Sequence, residues 1–264
     1  MVISSVPVAF IDIHTHVLPG IADEPKSFDE SMSILRGASK AGIKRMVATP
    51  HVFMENSDST LDAAEKNFVI LKREAISQGI AIELFLGAEV HIGVGLVEAV
   101  KKDIRLTIGG CGKYILFEMP FFEIPVYAGK IIFDLLASRV IPVWAHPERC
   151  QDVIDNFNSV RPYTGNGVKL QINSGSLVGV YGKKVMRSAI KLIENGLVHI
   201  MASDTHREGG AEVFIKGYSR LKEICGTEKA NEMCFSTPSE IIETDNGYIA
   251  VSNRNDYLKE WVRK

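Results

Sequence analysis

Seven times along the chain an apolar run stops at an acidic or imidazole side chain, or at a polar turn. FIDIHTH closes on His14 and His16, KRMVATPH on His51, IELFLGAE on Glu89 and KYILFEMP on Glu118. IPVWAHPER closes on His146, VKLQINSGS on Asn173 and Ser174, and VHIMASDTH on Asp204 and His206. Short runs rich in Val, Ile and Phe suit strands of a buried parallel sheet. The segments between them read as helices. Ser27 and Glu30 have capping-box spacing and Gly42 follows that helix. A second helix is expected from about Leu61 to Gln78, stopping at Gly79. Others are expected near Tyr127 to Ala137, Lys183 to Glu194 and Glu212 to Cys225. Thr237-Pro238-Ser239-Glu240 reads as a further capping box with proline at the first helical position.

Strand–helix alternation argues for a parallel sheet wrapped by helices. About seven strands predict an α/β fold, a TIM-like barrel slightly short of eight strands. An open doubly wound sheet is the alternative, but its ligands gather at one switch point. Here every strand end except the sixth carries a candidate ligand. A chain of 264 residues, 46% hydrophobic, can bury such a core as one domain over 1–264, with about 245–264 as a C-terminal extension.

Net charge is −2, so no overall field favours nucleic acid or an anionic membrane. Cys111, Cys150, Cys225 and Cys234 show no CxxC or zinc-finger spacing and read as reduced thiols of a cytoplasmic protein. The start MVISSVPVAF lacks a basic region and is not expected to be a signal peptide. No run approaches the roughly 20 apolar residues of a membrane helix.

In an α/β barrel the C-terminal strand ends meet at one mouth, where active sites are built. Five imidazoles and three carboxylates would then converge, too many donors for one ion, and two or three divalent metals are expected. His14 and His16 alternate on an extended chain and so face one way. Asp12 shares that face deeper down and is a candidate to orient a ligand ring. Asp204-Thr205-His206 repeats the device at the last strand. Glu89 and Glu118 end apolar strands without an obvious Lys or Arg partner, and a buried carboxylate needs a partner or a metal. Arg149 has a planar fork suited to phosphate oxygens, or is an ordinary loop arginine. His91 is either a ligand or substrate contact or a loop residue, and His199 is expected on the outer face as a core histidine with a local hydrogen bond.

The ordered set HTH, TPH, GAE, FE, AHPER and SDTH resembles the PHP (polymerase and histidinol phosphatase) superfamily. From about Ile11 to Ile242 it is similar to the bacterial PHP-type tyrosine-protein phosphatases of capsule and exopolysaccharide systems. The resemblance implies a distorted (β/α)7 TIM-like barrel, a three-metal site and dephosphorylation of the tail of a bacterial tyrosine autokinase. It puts His14, His16, His51, Glu89, Glu118, His146, Asp204 and His206 on metal ligands and Arg149 on a phosphate contact. Manganese is the first expectation, with iron, cobalt or zinc also suited to such donors. The expected partner is a phosphotyrosyl protein, with no nucleic acid and no membrane insertion.

Two departures stand out. Where the family reads Asp-Asp-Gly, this chain has Ala22-Asp23-Glu24, leaving Asp23 as the candidate acid. The segment after His51, basic in some relatives, here reads FMENSDST. Metal-activated water is the expected nucleophile. No Cys-x5-Arg loop supports a cysteinyl-phosphate route. Three functions compete: a phosphotyrosine-protein phosphatase, a PHP phosphoesterase for histidinol phosphate or another small ester, and a non-enzymatic metal-binding regulator.

Overall fold

The structure is a computed structural model that describes residues 9–21 and 25–243. Asp23 with Ala22 and Glu24, and the expected extension at 245–264, lie outside the described residues. The strands are β1 (Phe10–Thr15), β2 (Ile43–Ala48), β3 (His51–Val52), β4 (Glu83–Leu86) and β5 (Glu89–His91). They continue with β6 (Tyr114–Glu118), β7 (Ile141–Ala145), β8 (Lys169–Asn173) and β9 (Ile200–Ala202). Every pairing between them is parallel.

One sheet has the order β1-β2-β4 and the other β3-β5-β6-β7-β8-β9. They are halves of one ring. β2 runs into β3 through Thr49-Pro50, and a proline has no N–H to give the ladder. β4 likewise runs into β5. Hydrogen bonds carry the ladder across both breaks: Thr49 N to Thr15 O at 2.8 Å, Gly87 N to Ala48 O at 2.9 Å and Glu89 N to Pro50 O at 3.0 Å. The ring closes between its first and last strands through Asp204 N to His14 O and His16 N to Thr205 O, both 2.9 Å. The expected seven strand positions are therefore present, two of them interrupted.

Strand residues alternate between two apolar clusters. Leu116, Val143, Ala145, Ile200 and Ala202 pack with Ile11, Ile13 and Val47. Their neighbours Phe117, Trp144, Leu170, Ile172 and Met201 join helix residues such as Leu35, Leu71, Leu135 and Leu192. Glu118 follows Leu116 by two, Asp204 follows Ala202 by two, and Gln171 pairs with Ala145. The same period that buries the inner apolar cluster thus turns these polar groups inward at its upper end.

The helices are α1 (Phe28–Lys40), α2 (Ser57–Ser77), α3 (Leu96–Lys102), α4 (Ala128–Ala137) and α5 (Gln151–Asp155). They continue with α6 (Arg161–Thr164), α7 (Ser174–Leu177), α8 (Lys183–Glu194), α9 (Gly210–Asn231) and α10 (Thr237–Ile242). Ser27 caps α1, accepting from Glu30 N at 3.3 Å, while Glu30 reaches back to Lys26 N at 2.9 Å. α2 starts earlier than expected, because Ser57 to Thr60 of the FMENSDST stretch already coil. α9 outruns the expected end at Cys225 by absorbing Gly226 at φ 83° as a kink. The capping box at Thr237 does not form. A π turn over Glu232–Ser236 feeds helical backbone into α10, so Thr237 lies inside the helix and its side chain has no open N-terminus to cap. None of the described helices is long and apolar enough to cross a membrane.

Candidate metal centre

The eight expected ligands come together at the mouth. Glu89, 0% exposed, is the hub. Its Oε1 lies 2.7 Å from His146 Nε2, and its Oε2 lies 3.2 Å from His14 Nε2, 3.3 Å from His16 Nε2 and 3.0 Å from His51 Nδ1. His14 Nε2 and His16 Nε2 are themselves 3.1 Å apart. Asp204 Oδ1 closes the cluster at 3.5 Å from His14 and 3.2 Å from His16. Glu118 Oε1 lies 3.4 Å from His51 Nδ1. The His206 ring stacks on His16 with centroids 3.9 Å apart. His91 also turns to the mouth, with Nδ1 3.6 Å from Glu118 Oε1, and its ring lies 5.5 Å from that of Phe53.

Divalent metal fits this donor set. Four overlapping groups of three ligands keep their donor atoms within 4.8 Å of one another: His16, His51 and His206; His14, Glu89 and His146; His14, His16 and Asp204; His51, Glu89 and Glu118. No Lys or Arg neutralises Glu89 or Glu118 through an ion pair among the described residues. Glu89 Oε2 is buried and accepts no hydrogen bond, although three imidazole nitrogens crowd it. Mixed imidazole and carboxylate donors suit Mn, Fe, Co or Zn.

Electrostatics point the same way. Burial opposes charge on His51, yet Glu118 and Glu89 outweigh it and lift its pKa to about 10. Burial also opposes charge on His14, and the negative field of Glu89 and Asp204 again prevails and raises its pKa. Burial would raise Glu118, but contacts with His51 and His91 bring it down to about 2. Glu89 and Asp204 are likewise held ionised against burial by the imidazoles around them. A field that draws protons onto these rings also attracts a cation in their place.

The strand without a candidate ligand orients the others. Asp204 Oδ2, which can only accept, takes a hydrogen bond from Asn173 Nδ2 at 2.6 Å. Asn173 Oδ1 must then accept from Gln171 Nε2 at 2.9 Å, and Gln171 Oε1 accepts from His14 Nδ1 at 2.8 Å. His14 Nδ1 therefore carries its proton and Nε2 turns its lone pair to the cluster, the tautomer a metal requires. Asp12 does not orient a ring as expected. Its Oδ1 accepts the backbone N–H of Ser203 at 3.0 Å and lies 3.5 Å from His14 N, so it braces β1 against β9. Burial, only partly offset by the hydrogen bonds with Ser203, lifts its pKa to about 6.

His146 and Asp204 adopt φ of 40° and 53°, a region that residues with a side chain rarely occupy. Such strain persists where surrounding contacts over-determine it. Glu148 supplies one such contact, accepting Asn173 N at 2.9 Å and Ser176 Oγ at 2.6 Å from a fully buried position. The next residue, Arg149, directs Nη1 at Asp204 Oδ2, 3.1 Å away. Sequence alone assigns no role to Gln171, Asn173 or Glu148. Their only local signal is the polar ending of the VKLQINSGS run and the acid inside HPER. His199 is half-buried just before β9, where Nδ1 accepts from Leu170 N at 3.1 Å, the expected local hydrogen bond.

Known proteins share this architecture. The chain is similar to the tyrosine-protein phosphatase YwqE of Bacillus subtilis (strain 168), 34% identical over 200 residues, covering 74% of this chain and 77% of that protein. It is 30% identical over 196 residues to the putative tyrosine-protein phosphatase CapC of Staphylococcus aureus, covering 74% of this chain and 76% of that one. A crystal structure from work on YwqE of Bacillus subtilis and CpsB of Streptococcus pneumoniae, described as metal-dependent tyrosine phosphatases, superposes with a TM-score of 0.80 at 29% identity. It covers 88% of this chain and 94% of that one. The phosphotriesterase homology protein of Escherichia coli shares the fold alone, with a TM-score of 0.61 at 11% identity. The sequence profile of the CpsB/CapC family, described as capsular polysaccharide synthesis, matches residues 10–243, and the chain belongs to that family.

Proposed function

We propose that this protein is a metal-dependent phosphomonoesterase that removes phosphate from tyrosine in a protein. The observation that carries the reading is the convergence of five imidazoles and three carboxylates beside one guanidinium at an open mouth. The tail of a bacterial tyrosine autokinase controlling polysaccharide synthesis or export is the proposed partner, and a single domain over 1–264 with an extension at about 245–264 the proposed organisation. His14, His16, His51, Glu89, Glu118, His146, Asp204 and His206 would hold two or three ions, manganese first. Bound ions would acidify water and neutralise charge on the phosphate oxygens.

The chain's own groups do the rest. Arg149 holds a non-bridging phosphate oxygen through charge-assisted hydrogen bonds. Its attachment to Asp204 fixes where that oxygen can lie. A phenolate leaves as the base of an acid with pKa about 10, so an aryl ester asks little of a proton donor. Asp23 is proposed as the donor for poorer leaving groups. The rim supports a protein substrate. Phe53, Val94, Phe122, Val126 and Val180 are exposed on segments that follow β3, β5, β6 and β8, on the same side as the ligands. Such a collar offers apolar contact to residues flanking a phosphotyrosine.

Turnover of a phosphotyrosyl peptide and of histidinol phosphate by the manganese-loaded protein tests the reading. The peptide should have the higher kcat/KM by at least about tenfold. The reverse order would assign the chain to small phosphate esters, and no turnover of either would leave a metal-binding regulator.

A further inference from the structure

Arg149 is held more elaborately than a loop arginine needs. Its guanidinium carbon lies 4.5 Å from the ring centroid of Phe121 and 4.4 Å from that of Tyr181. Phe121 follows β6, Arg149 follows β7, and Tyr181 follows β8 and α7, so three successive strand ends build the arrangement. Phe121 is a large apolar residue left 43% exposed beside a charged centre, where core packing gives it no reason to be. Its carbonyl accepts Gln151 N at 2.7 Å, which ties its segment to the turn that carries Arg149. On the other side, a Cβ at Gly175 would come within 3.2 Å of Tyr181 Cε2, so the glycine makes room for the ring.

A guanidinium donates hydrogen bonds only in its own plane, while its faces stack on aromatic rings. Flanking rings therefore leave the edges to polar partners. Asp204 takes one of them through Nη1. We infer that Phe121 and Tyr181 are positioning residues that hold the Arg149 guanidinium in one plane, with its remaining edge presented to an incoming phosphate. The inference rests on the proposed phosphatase reading. Its physical advantage is pre-organisation: an arginine already confined gives up less side-chain freedom when the anion binds.

The test uses the metal-loaded full chain and inorganic phosphate as the probe, with affinity read by calorimetry and metal content measured for each variant. Phe121→Leu and Tyr181→Leu should each weaken phosphate binding about 3- to 10-fold. Phe121→Tyr and Tyr181→Phe, which keep a ring in place, should recover most of that loss. In an Arg149→Ala background the leucine substitutions should change affinity by less than about twofold, because the rings act through the arginine. A loss of equal size with and without Arg149, or no loss in either leucine variant, overturns the inference. If a leucine variant fails to hold metal, Gly175→Ala displaces the Tyr181 ring without deleting it and is read by the same cycle. Failure of the phosphatase reading is separately visible as no turnover of a phosphotyrosyl peptide by the manganese-loaded parent. An Arg149→Ala variant with wild-type phosphate affinity removes the phosphate contact itself, whereas a ring effect can vanish while that contact stands.

Discussion

Single residues decide how the donors face. Gln171→Leu keeps the volume but deprives His14 Nδ1 of its acceptor and breaks the chain from Asp204 through Asn173. Loss of such an orienting partner typically costs 10- to 100-fold in metal affinity. Competitive titration against a chelating dye should show a loss of about that size, while Gln171→Glu, still an acceptor, should lose less. Asp23→Asn should lower turnover while most metal stays bound, and the loss should be larger for an alkyl phosphate than for p-nitrophenyl phosphate. Equal losses on the two substrates would remove the proton-donor role. His199 makes a pH prediction away from the centre. Burial lowers its pKa, and Nδ1 must be unprotonated to accept from Leu170 N. The unfolded chain then binds more protons below about pH 6.5. Stability from His199 is fully present above that pH and falls as pH drops toward the lower folded value. His199→Asn keeps an acceptor without the titration, so its melting temperature should fall less between pH 7.5 and 5 than that of the parent. An identical fall in both proteins would exclude this role.

Elements are set by close approaches that no single strand or helix foretells. α9 packs on the start of α7 across Gly217, where a Cβ would lie 2.7 Å from Ser174 Cβ and 2.8 Å from Ser174 O. Ser174 directly follows Asn173, so the fit of this helix bears on the strand end that orients the cluster. In Gly217→Ala the backbone cannot yield as a flexible side chain would, and α9 must retreat. Overpacking of this kind costs about 1–3 kcal/mol. For a chain of this size each kcal/mol lowers the melting temperature by roughly 2–4 °C. Calorimetry should show a fall in that range, and a melting temperature equal to the parent's would mean the contact is looser than the structure indicates.

At the scale of the whole molecule the ring is held from both ends. Apolar packing fills its interior, and at the mouth three strand ends bring the carboxylates of Glu89, Glu118 and Asp204 together. Glu89 and Asp204 are buried and held ionised by the imidazoles around them, a concentration of negative charge that bound cations would offset. Metal should therefore stabilise the fold as well as enable the chemistry, by RT ln(1 + [L]/Kd), about 4 kcal/mol at a thousandfold excess over Kd. Freshly purified protein should carry two or three ions per chain by elemental analysis. Chelation should abolish activity and lower the melting temperature, and manganese should restore both. Less than about half an ion per chain, with no uptake of added manganese, would count against the centre.

What the sequence alone determined was the list of strands and which side chains gather at the mouth. Both follow from short-range rules. Side chains alternate across a strand by covalent geometry, so HTH at one end of the chain and DTH at the other each declare a face. Parallel strands also end at a common rim, so residues as far apart as His14 and His206 can be assigned to one mouth without coordinates. The capping box at Thr237 failed on the same locality: the motif is present, but a π turn upstream already supplies helical backbone. Tertiary structure alone decided which partner meets which donor. Gln171 reaches His14 across 157 residues, and Arg149 lies beside two rings contributed by other strand ends. It also decided that Asp12 braces backbone instead of a ring, and that His146 and Asp204 bend through the left-handed region. Those outcomes depend on strand register and on the paths of connecting loops. Such quantities are set by the packing of the whole ring, and no window of the sequence contains them.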